Sequence, residues 1–565
     1  MTSNSTKATR PASSTPPAAA GFPDVARAAN RLVAGLLAEP WGHSSPSVYE
    51  TGRLVSLAPW LTGHAERLRF LVESQRPDGA WSAPSPAYAL VPTLSATEAV
   101  LSAIASGQTA VEPAVLVKCA ARGLEALTGP LADPPNLPDM PAIEHITPAL
   151  IARIGRLLDR MKERPPAGLE HWVAAGPPPP PAGMDGALLP AIGDLLERGI
   201  ELPEKLLHAL EIAGDAAVGA PSVPSVAVGG GDPSSPTGAL RTIGASPAAT
   251  AAWLGPDGDG GPLSAPAEAA ALRRYLEKAA LRHGGPVPVA VPITNFERGW
   301  VLSWLLRAGI PVKAPSALVV AMRASLGSSG VPGGAGLPDD ADSSSGLLYA
   351  LSLLGAPCPP DLLWKYETDT HFCTWQGENG HSITTNAHVL EAFGHFLAGN
   401  ERGAGAARYA MSARKAASWL RTQQEGDGRW HDRWHVSPYY ATFCAALALD
   451  EFGGPESEEA VAHAVRWVLA TQNADGSWGD LGGTVEETAY ALQLLLLARR
   501  VPAEAADAVA QGAALLRAAA LTGDLDADKP PLWHDKDLYR PVAIVWAAVL
   551  AALHLADSRG RVSVT

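Results

Sequence analysis

The sequence predicts an all-α protein, on the strength of three observations. Apolar residues recur at helical spacing in segments such as "LPEKLLHALEIAG" and "EETAYALQLLLLARR". Sustained alternation of apolar and polar residues, which marks a half-buried strand, is absent, so sheets are expected to be minor. Alanine and leucine, both strong helix formers, are abundant, whereas runs of β-branched residues are sparse. Glycine and proline fall between the apolar runs, where helices are expected to end.

Composition limits the class of protein and its partners. The chain has 565 residues, of which 47% are hydrophobic and 18% charged, so it can bury large cores in two or three domains. A formal net charge of -14 argues against a nucleic-acid partner, and an anionic substrate would need a local basic pocket or a metal ion. The four cysteines form no Cys-x-x-Cys pair, which predicts neither a disulfide framework nor a zinc site and favours the cytoplasm.

By their composition, the two ends of the chain are expected to be a disordered tail and a buried core helix. Residues 1–22 are rich in Ser, Thr, Pro and Ala and lack an apolar signal core, so they are expected to be a disordered tail. The apolar run from Val542 to Ala556 is shorter than the about 20 residues that span a bilayer. This run predicts a buried core helix, and no transmembrane segment is expected.

A short motif occurs three times and predicts repeated helical hairpins. The segments "QRPDGAW", "QEGDGRW" and "QNADGSW" share a Gln, an Asp-Gly turn and a Trp at one spacing. Each follows an amphipathic stretch. The Gln amide can bond backbone groups left free at a helix end, and the Trp ring can cover the turn. Repetition at a fixed spacing indicates a recurrent corner between helices.

These corners resemble the QW motifs of the triterpene and diterpene cyclases. Further segments, among them "PSVYETGRL", "VPITNFERGWVL" and "HDKDLYRPVAIVWAAVLAAL", resemble class II diterpene cyclases of bacterial type and follow in the family order. Glu50 replaces an Asp of the family in the first of them. The resemblance implies two α/α-barrel domains with the active site between them. Residues 23–45 and 292–565 would form the β domain, and residues 46–291 an inserted γ domain.

The stretch "LPDDADSSSGLLYAL" resembles the acid motif of this family, Asp-x-Asp-Asp. The resemblance places Asp342 at the position of the proton donor and Asp340 at the first Asp, while Ser343 replaces the last Asp. An alkene is a very weak base, so its donor must be a protonated carboxylic acid in a dry pocket. Losing one carboxylate weakens the like-charge effect that keeps the donor protonated. A Ser343 hydroxyl could instead stabilise the aspartate that forms, and the sequence leaves open which effect dominates.

Local rules alone offer another interpretation of these aspartates. Asp342 precedes an apolar run that predicts a helix, and Asp is a preferred N-cap. The helix dipole favours an anion there, which is the wrong protonation state for a donor. Asp339 receives no role in either interpretation.

Other site residues follow from the resemblance. His388 matches the position that hydrogen-bonds the donor Asp, although a core histidine would fit the same helix. Six aromatic residues lie in or near the family-like segments: Trp300, Trp304, Trp375, Trp434, Tyr439 and Tyr440. A few of them are expected to line the pocket and stabilise carbocations by cation–π attraction, with Trp300, Trp375 and Tyr439 as the chosen candidates. The Asn that deprotonates the product in plant relatives corresponds to Val289, so the deprotonating base is unassigned.

The diphosphate end of the substrate would need positive charge. The resemblance matches Glu144 to an acidic position of the γ domain that binds diphosphate together with Mg²⁺, for which carboxylate and phosphate oxygens are suitable ligands. Lys205 and Lys536 are candidate basic contacts. There is a simpler explanation for each of these residues: Glu144 would be a surface carboxylate, and Lys205 and Lys536 would be lysines on solvated helix faces.

The resemblance implies a class II terpene cyclase that starts by protonation. It would convert geranylgeranyl diphosphate to a bicyclic labdane-type diphosphate that keeps its diphosphate, and a downstream class I terpene synthase would be its partner. Three alternatives stay open. The first is drimane-type cyclisation of farnesyl diphosphate. The second is a metal-dependent, ionisation-initiated synthase, because "DDAD" faintly resembles an Asp-rich metal motif. The third is a non-catalytic isoprenoid-binding barrel protein.

Overall fold

The computed structural model describes residues 24–107, 110–229, 240–400, 403, 405–480, 482–523, 525–526 and 529–562. The tail predicted for residues 1–22 lies outside the described residues. Within these ranges helices dominate, and the strands form only three two-stranded antiparallel ladders. The prediction of an all-α protein with minor sheets is therefore confirmed.

The first half of the described chain contains eleven α-helices and one ladder. The helices are α1 (Val25–Ala38), α2 (Val48–Leu57), α3 (His64–Glu73), α4 (Pro86–Ala105), α5 (Pro113–Thr128), α6 (Ile143–Arg160), α7 (Glu170–Ala175), α8 (Leu189–Glu197), α9 (Glu204–Leu207), α10 (Pro247–Leu254) and α11 (Pro266–Arg282). A 3₁₀ segment (Leu210–Ala217) follows α9, and β1 (Val226–Val228) pairs with β2 (Leu240–Thr242).

The second half contains ten α-helices and two ladders. The helices are α12 (Thr294–Arg307), α13 (Ser316–Ser325), α14 (Ala341–Leu353), α15 (Ile383–Ala398), α16 (Ala406–Thr422), α17 (Pro438–Phe452), α18 (Glu458–Ala470), α19 (Val485–Leu497), α20 (Ala505–Thr522) and α21 (Val542–Val562). The strands are β3 (Val331–Pro332), β4 (Asp339–Asp340), β5 (Trp533–His534) and β6 (Leu538–Tyr539), and 3₁₀ turns lie at Pro360–Tyr366 and Pro455–Ser457.

The helices enclose two large hydrophobic cores. One core draws its buried residues from Trp41 to Val291, and the other from Val25 to Leu36 and then from Val289 to Leu555. Helix α1 thus leaves its sequence neighbours and packs against α12 and α21. This arrangement is what the insertion of one domain near the start of another would produce. The domain boundaries at residues 46 and 292 stay a prediction.

The three Gln–Trp corners have one shared hydrogen-bond pattern. At the first corner, Nε2 of Gln75 donates to the carbonyl oxygens of Gly79 and Cys119, both at 3.0 Å, and Nε1 of Trp81 donates to Leu71 O at 2.7 Å. Equivalent bonds join Gln424 to Gly428 and Ala460, Trp430 to Leu420, Gln472 to Gly476 and Ala508, and Trp478 to Val468. Each Gln therefore ties its turn to the next outer helix, which confirms the predicted recurrent corner.

The glycine of the corner is required by its conformation. Gly79 has a φ of 87°, and a Cβ there would lie 2.4 Å from the carbonyl oxygen of Arg122 on α5. Only glycine avoids both the backbone strain and this contact.

Two apolar helices bear on the expectation that no segment spans a membrane. Among the described residues, α4 alone is long and apolar enough to do so, and 83% of its apolar window is buried in the protein. Burial of that kind is what a core helix shows. Helix α21 begins at Val542 and extends beyond Ala556, and its first four turns are mostly buried, as predicted for this run.

Candidate active site

A cavity of about 500 Å³ is lined by elements from both cores. The core formed by Trp41–Val291 contributes residues 139–142 before α6, Glu144 in the first turn of α6, and Lys205, Leu206 and His208 in and after α9. The other core contributes the start of α14, the loop before α15, and the β5–β6 hairpin. Six of the ten predicted site residues line this cavity: Glu144, Lys205, Asp340, Asp342, Ser343 and Trp375.

The acid motif lies where a short ladder meets a helix. Strand β4 pairs Asp340 with Val331, and α14 begins at the next residue. The side chain of Asp340 accepts a hydrogen bond from Ser343 N and so caps the helix. The alternative in which Asp342 is the N-cap is therefore wrong. Asp342 lies in the first turn instead, and its side chain is 16% exposed and lines the cavity.

His388 holds the Asp342 carboxyl group, as the resemblance implied. Nδ1 of His388, on α15, lies 2.7 Å from Oδ1 of Asp342. Burial lowers the pKa of His388, but the charge and hydrogen bond of Asp342 outweigh it and raise this pKa well above its usual value. His388 therefore carries a proton at neutral pH. The ring does not itself line the cavity, so it acts on Asp342 from behind.

Asp340 also retains a proton. Burial, reinforced by the neighbouring Asp342, raises the pKa of Asp340 to about 8, although hydrogen bonds from Ser343 lower it. At neutral pH Asp340 therefore holds a proton beside the cavity. Ser343 acts on Asp340, where the sequence interpretation had it stabilising Asp342.

Aromatic rings surround the acid, but they are only partly the predicted ones. Trp300 stands edge-on to His388 with ring centroids 4.8 Å apart, and it donates through Nε1 to the hydroxyl of Tyr440 at 2.7 Å. It lies behind the cavity wall. Tyr440 and Trp533 line the cavity, with ring centroids 4.7 Å apart, and Phe296 packs against Trp533 at 5.3 Å.

Tyr439 is not brought to the cavity. Its hydroxyl donates to Thr471 O at 3.3 Å, and its ring packs against Trp467 with centroids 4.6 Å apart. Neighbouring residues of a helix point about 100° apart, and of these two it is Tyr440 that lines the cavity. The pocket-lining role predicted for Tyr439 falls to Tyr440.

Lys536 is also kept from the cavity by its surroundings. The side chain is 0% exposed, and Nζ donates to His208 O at 2.7 Å and to Ser246 Oγ at 2.9 Å. It forms ion pairs with Glu50 and Glu211 as well. All the donors of the ammonium group are engaged, so none is available to a diphosphate in this arrangement. Lys536 does not lie on a solvated helix face either.

The rim of the cavity collects hydrogen-bond donors. Nζ of Lys205 lies 4.8 Å from the ring centroid of Trp375, whose ring meets that of Trp434 at 5.3 Å. The Nε1 atoms of both tryptophans are buried and have no hydrogen-bond partner within the described part of the chain. Arg433 lies beside them and pairs with Glu378 at 2.9 Å and with Asp139. Unsatisfied donors beside a cation are suited to an anion.

Glu144 reaches the same cavity from the first turn of α6. Its side chain is 57% exposed, and its Oε1 lies 3.6 Å from Nε2 of His145. Over the ranges that the structure describes, no three His, Cys, Asp or Glu side chains gather closely enough to hold a metal ion alone. One carboxylate with the oxygens of a bound diphosphate nevertheless suits Mg²⁺, which rarely uses an all-protein cage.

Two histidines that sequence reasoning missed, His208 and His534, line the cavity. His208 is engaged at both ring nitrogens, with Nδ1 2.5 Å from Gly244 O and Nε2 3.1 Å from Asp535 Oδ1. His534 is engaged only at Nδ1, which lies 2.7 Å from Arg433 O. Both residues fall in family-like segments, but nothing in the local sequence distinguishes them from core histidines.

Comparison with known proteins first defines the class. Residues 380–516 match the model of the squalene-hopene cyclase C-terminal domain. The chain is 42% identical over 536 residues to the ent-copalyl diphosphate synthase of Streptomyces sp. (strain KO-3988), covering 94% of this chain and 96% of that protein. It is 37% identical over 545 residues to the labda-7,13-dienyl diphosphate synthase of Streptomyces clavuligerus, covering 94% and 93% of the two chains.

A solved structure agrees with these relatives. The ent-copalyl diphosphate synthase of Streptomyces platensis superposes with a TM-score of 0.85 at 42% identity, covering 94% of this chain and 99% of that one. The chain belongs to the class II diterpene cyclase family that includes the bacterial copalyl diphosphate synthases. The predicted α/α-barrel fold and the identification as a class II terpene cyclase are confirmed.

Proposed function

We propose that this cyclase converts geranylgeranyl diphosphate to a bicyclic labdane-type diphosphate by protonating the terminal alkene and leaving the diphosphate in place. The observation that carries the proposal is Asp342, which faces the cavity while His388 holds one of its oxygens at 2.7 Å. The names of the relatives, copalyl and labda-7,13-dienyl diphosphate synthase, supply the substrate and product class.

The proton comes from the Asp340–Asp342 pair. Donation leaves a new carboxylate in a largely buried site, which is costly unless a cation or hydrogen-bond donor faces it. His388 is protonated and already hydrogen-bonded to Asp342, so it stabilises the anion as it forms. Asp340, which its raised pKa keeps protonated, would supply the proton that Asp342 delivers, and the Ser343 N–H fixes the position of Asp340.

The rings around the acid then protect the cation. Phe296, Tyr440 and Trp533 line the cavity on the side of the acid motif, where the first carbocation would form. An aromatic face attracts a desolvated cation by about 2 kcal/mol and offers no nucleophile. Trp300 contributes indirectly, because it orients the Tyr440 hydroxyl and packs against His388.

The diphosphate would occupy the rim. The two unpartnered indole N–H groups of Trp375 and Trp434 can each donate to a phosphate oxygen, and Lys205 adds positive charge beside Trp375. Glu144 would hold Mg²⁺ together with the phosphate oxygens. Bound there, the metal would neutralise the diphosphate charge and orient it. Because the proposed reaction starts by protonation at the acid motif, it does not require the diphosphate to leave, and the diphosphate remains on the product.

A retained diphosphate implies a further enzyme. The allylic diphosphate of a labdane-type product is the leaving group that an ionisation-initiated, class I terpene synthase requires. We propose such an enzyme as the next partner in the cytoplasm.

The ionisation-initiated alternative has weaker support from the site. It needs Asp side chains arranged around metal ions, yet Asp340 caps α14 and Asp342 pairs with His388. Asp339 does not line the cavity. Cyclisation of farnesyl diphosphate would use the same acid and is separated from the main proposal only by the substrate tested.

One assay distinguishes these functions. The protein is incubated with geranylgeranyl or farnesyl diphosphate and Mg²⁺, and products are analysed with and without phosphatase. A bicyclic alcohol that appears only after phosphatase, and with the C20 substrate, is expected. Hydrocarbon or alcohol without phosphatase would favour ionisation, and no product from either substrate would favour a binding protein. Glu144→Gln tests the metal site. Activity of the wild-type protein should require Mg²⁺, and this dependence of activity on Mg²⁺ should be weaker in the variant.

A further inference from the structure

The proposed reaction ends when the bicyclic carbocation loses a proton, and the residue that accepts it is unassigned. Building on the proposed function, we propose that Nε2 of His534 is this base. His534 lies at the end of strand β5, directly after the aromatic wall residue Trp533, and lines the cavity.

The hydrogen bond at the other nitrogen fixes the tautomer. Nδ1 of His534 lies 2.7 Å from the carbonyl oxygen of Arg433, and a carbonyl oxygen can only accept. The ring proton therefore sits on Nδ1, and Nε2 of the neutral ring presents a lone pair. This is the arrangement by which proteins orient a basic imidazole.

Nε2 of His534 is buried and has no hydrogen-bond partner within the described ranges. A buried polar atom without a partner calls for an explanation, and a role in catalysis is one of the recognised ones. Burial lowers the pKa of His534, which keeps the ring neutral and able to accept a proton.

The second histidine of the cavity wall lacks this capacity. His208 uses Nδ1 with Gly244 O and Nε2 with Asp535, so it has no free lone pair. Asp535 raises the pKa of His208 although burial opposes this, so its ring is also the more protonated of the two.

The groups that face His534 suit an imidazolium that exists briefly. Asp535 and Asp139 favour the charged ring, while burial and Arg433 oppose it. The ring of Tyr88 packs edge-on against it, with ring centroids 5.0 Å apart. After transfer the proton is therefore held without a permanent ion pair and can be returned to solvent between turnovers.

The chemistry balances without a co-reactant. Asp342 gives one proton to the terminal alkene, and new carbon–carbon bonds close the two rings and leave a cation. A C–H bond next to that cation breaks, its electron pair becomes the new double bond, and the proton passes to Nε2 of His534. The product is an isomer of the substrate.

A carbocation is so strong an acid that any nearby base, including water, can deprotonate it. The base therefore determines which proton leaves and excludes water, and has little effect on how fast cyclisation starts. Product identity, measured separately from substrate consumption, is the decisive readout.

The test compares His534→Ala, His534→Asn and the packing control Tyr88→Leu with the wild-type protein, using geranylgeranyl diphosphate and product analysis after phosphatase. In His534→Ala, at least about a tenfold rise in other alkene isomers or water-trapped alcohols is expected, with substrate consumption within about threefold of wild type. Asn can donate to Arg433 O and present an oxygen to the cavity, so His534→Asn should partly restore the wild-type product. Tyr88→Leu should keep it.

Other results would overturn the assignment. If His534→Ala forms the wild-type product, whether or not His534→Asn does so too, another group accepts the proton. A raised KM with an unchanged product would make His534 a diphosphate contact. If His534→Ala does not fold, His534→Gly and His534→Phe replace it in the test. A wild-type product profile from either folded variant, without added base, contradicts the proposal in the same way. Absence of cyclic diphosphate from the wild-type protein would instead defeat the proposed function.

Discussion

Two buried charge clusters of this protein are alike in composition and differ in what they can do. The acid cluster comprises Asp340, Asp342 and His388, and the lysine cluster comprises Lys536, Glu50 and Glu211. Each combines two carboxyl groups with one basic side chain away from bulk water. Strongly shifted pKa values occur in both, with the pKa of Asp340 raised to about 8 and that of Glu50 to about 7, in each case mainly by burial.

The difference lies in access and in unused hydrogen-bonding capacity. In the lysine cluster Nζ is fully engaged, and its residues do not line the cavity. In the acid cluster the protonated His388 contacts one oxygen of Asp342 on the side away from the cavity, and the Asp342 carboxyl group faces the cavity. A perturbed pKa identifies a buried charge, whereas a catalytic acid also needs a free face toward its substrate. The lysine cluster joins α2, the segment after α9 and the β5–β6 hairpin, which is a structural role.

The largest effect is expected from removing the donor. Asp342→Asn keeps the shape and the contact with His388 but removes the acidic proton, so cyclisation should fall by on the order of 10⁴-fold. The measurement is bicyclic product formed per folded protein. Asp339→Asn is the matched control, since this neighbouring carboxyl does not line the cavity, and it should stay close to wild type. Activity that survives in Asp342→Asn would remove the distinction between the two clusters.

Lys536→Met breaks the other cluster and should act on stability. It leaves Glu50 and Glu211 buried without their cation, which should cost about 3–5 kcal/mol in the free energy of unfolding. Chemical denaturation checks this value, with the exposed Lys162→Met as control, expected within about 0.5 kcal/mol of wild type. A raised KM with an unchanged unfolding midpoint would show that Lys536 contacts substrate after all.

His388→Ala removes the residue that orients the acid and leaves the acid, Asp342, in place. Loss of the partner that stabilises the new carboxylate should lower kcat by about 100-fold while KM changes little. His388→Asn can still donate to Asp342 and should recover part of the rate. Steady-state kinetics of both variants decide the matter, and equal rates for the Ala variant and wild type would make His388 a packing residue.

The pH profile tests the proton held by Asp340. Because the folded pKa of Asp340 is raised to about 8, Asp340 holds its proton below that pH and loses it as the pH rises further. The rate should therefore fall about tenfold per pH unit above about 8. In Asp340→Asn the neighbouring charge is gone, so the descending limb should move to lower pH. A wild-type rate that stays level to pH 10 would contradict a protonated Asp340.

The smallest effect is expected at the rim. Lys205→Ala should raise KM about fivefold and leave kcat nearly unchanged, because an exposed cation contributes only about 1 kcal/mol of binding. The control is Lys365→Ala, a lysine that does not line the cavity. Kinetics at fixed Mg²⁺ provide the comparison, and a fall in kcat alone would place Lys205 nearer the chemistry than proposed.

Much of the fold was predictable because it depends on local patterns. The helices follow from apolar spacing, and the corners from a motif in which Gln75, Gly79 and Trp81 each have a physical requirement. The insertion rests on resemblance, since nothing local shows that α1 joins the core of α12 and α21.

The site was predictable only in part. Asp342 and His388 are 46 positions apart, and the resemblance alone paired them. Helix α17 is buried on nearly all sides, so its sequence could not show that Tyr440, and not Tyr439, faces the cavity. Lys536 lies among charged residues that are typical of a surface, but Glu50 and Glu211 reach it from distant parts of the chain. The free nitrogen of His534 depends on a backbone carbonyl, which no sequence pattern reveals.

The central claim is that a carboxyl proton of the acid cluster, and not departure of diphosphate, starts the reaction. Cyclisation of geranylgeranyl diphosphate in D₂O tests it most directly, because the acid exchanges with solvent before each turnover. Mass spectrometry of the dephosphorylated product should show one deuterium, located in the ring methylene next to the carbon that carries the two methyl groups of the first ring, and no product from Asp342→Asn. A cyclic product that carries no deuterium, or that forms equally in Asp342→Asn, would contradict the account.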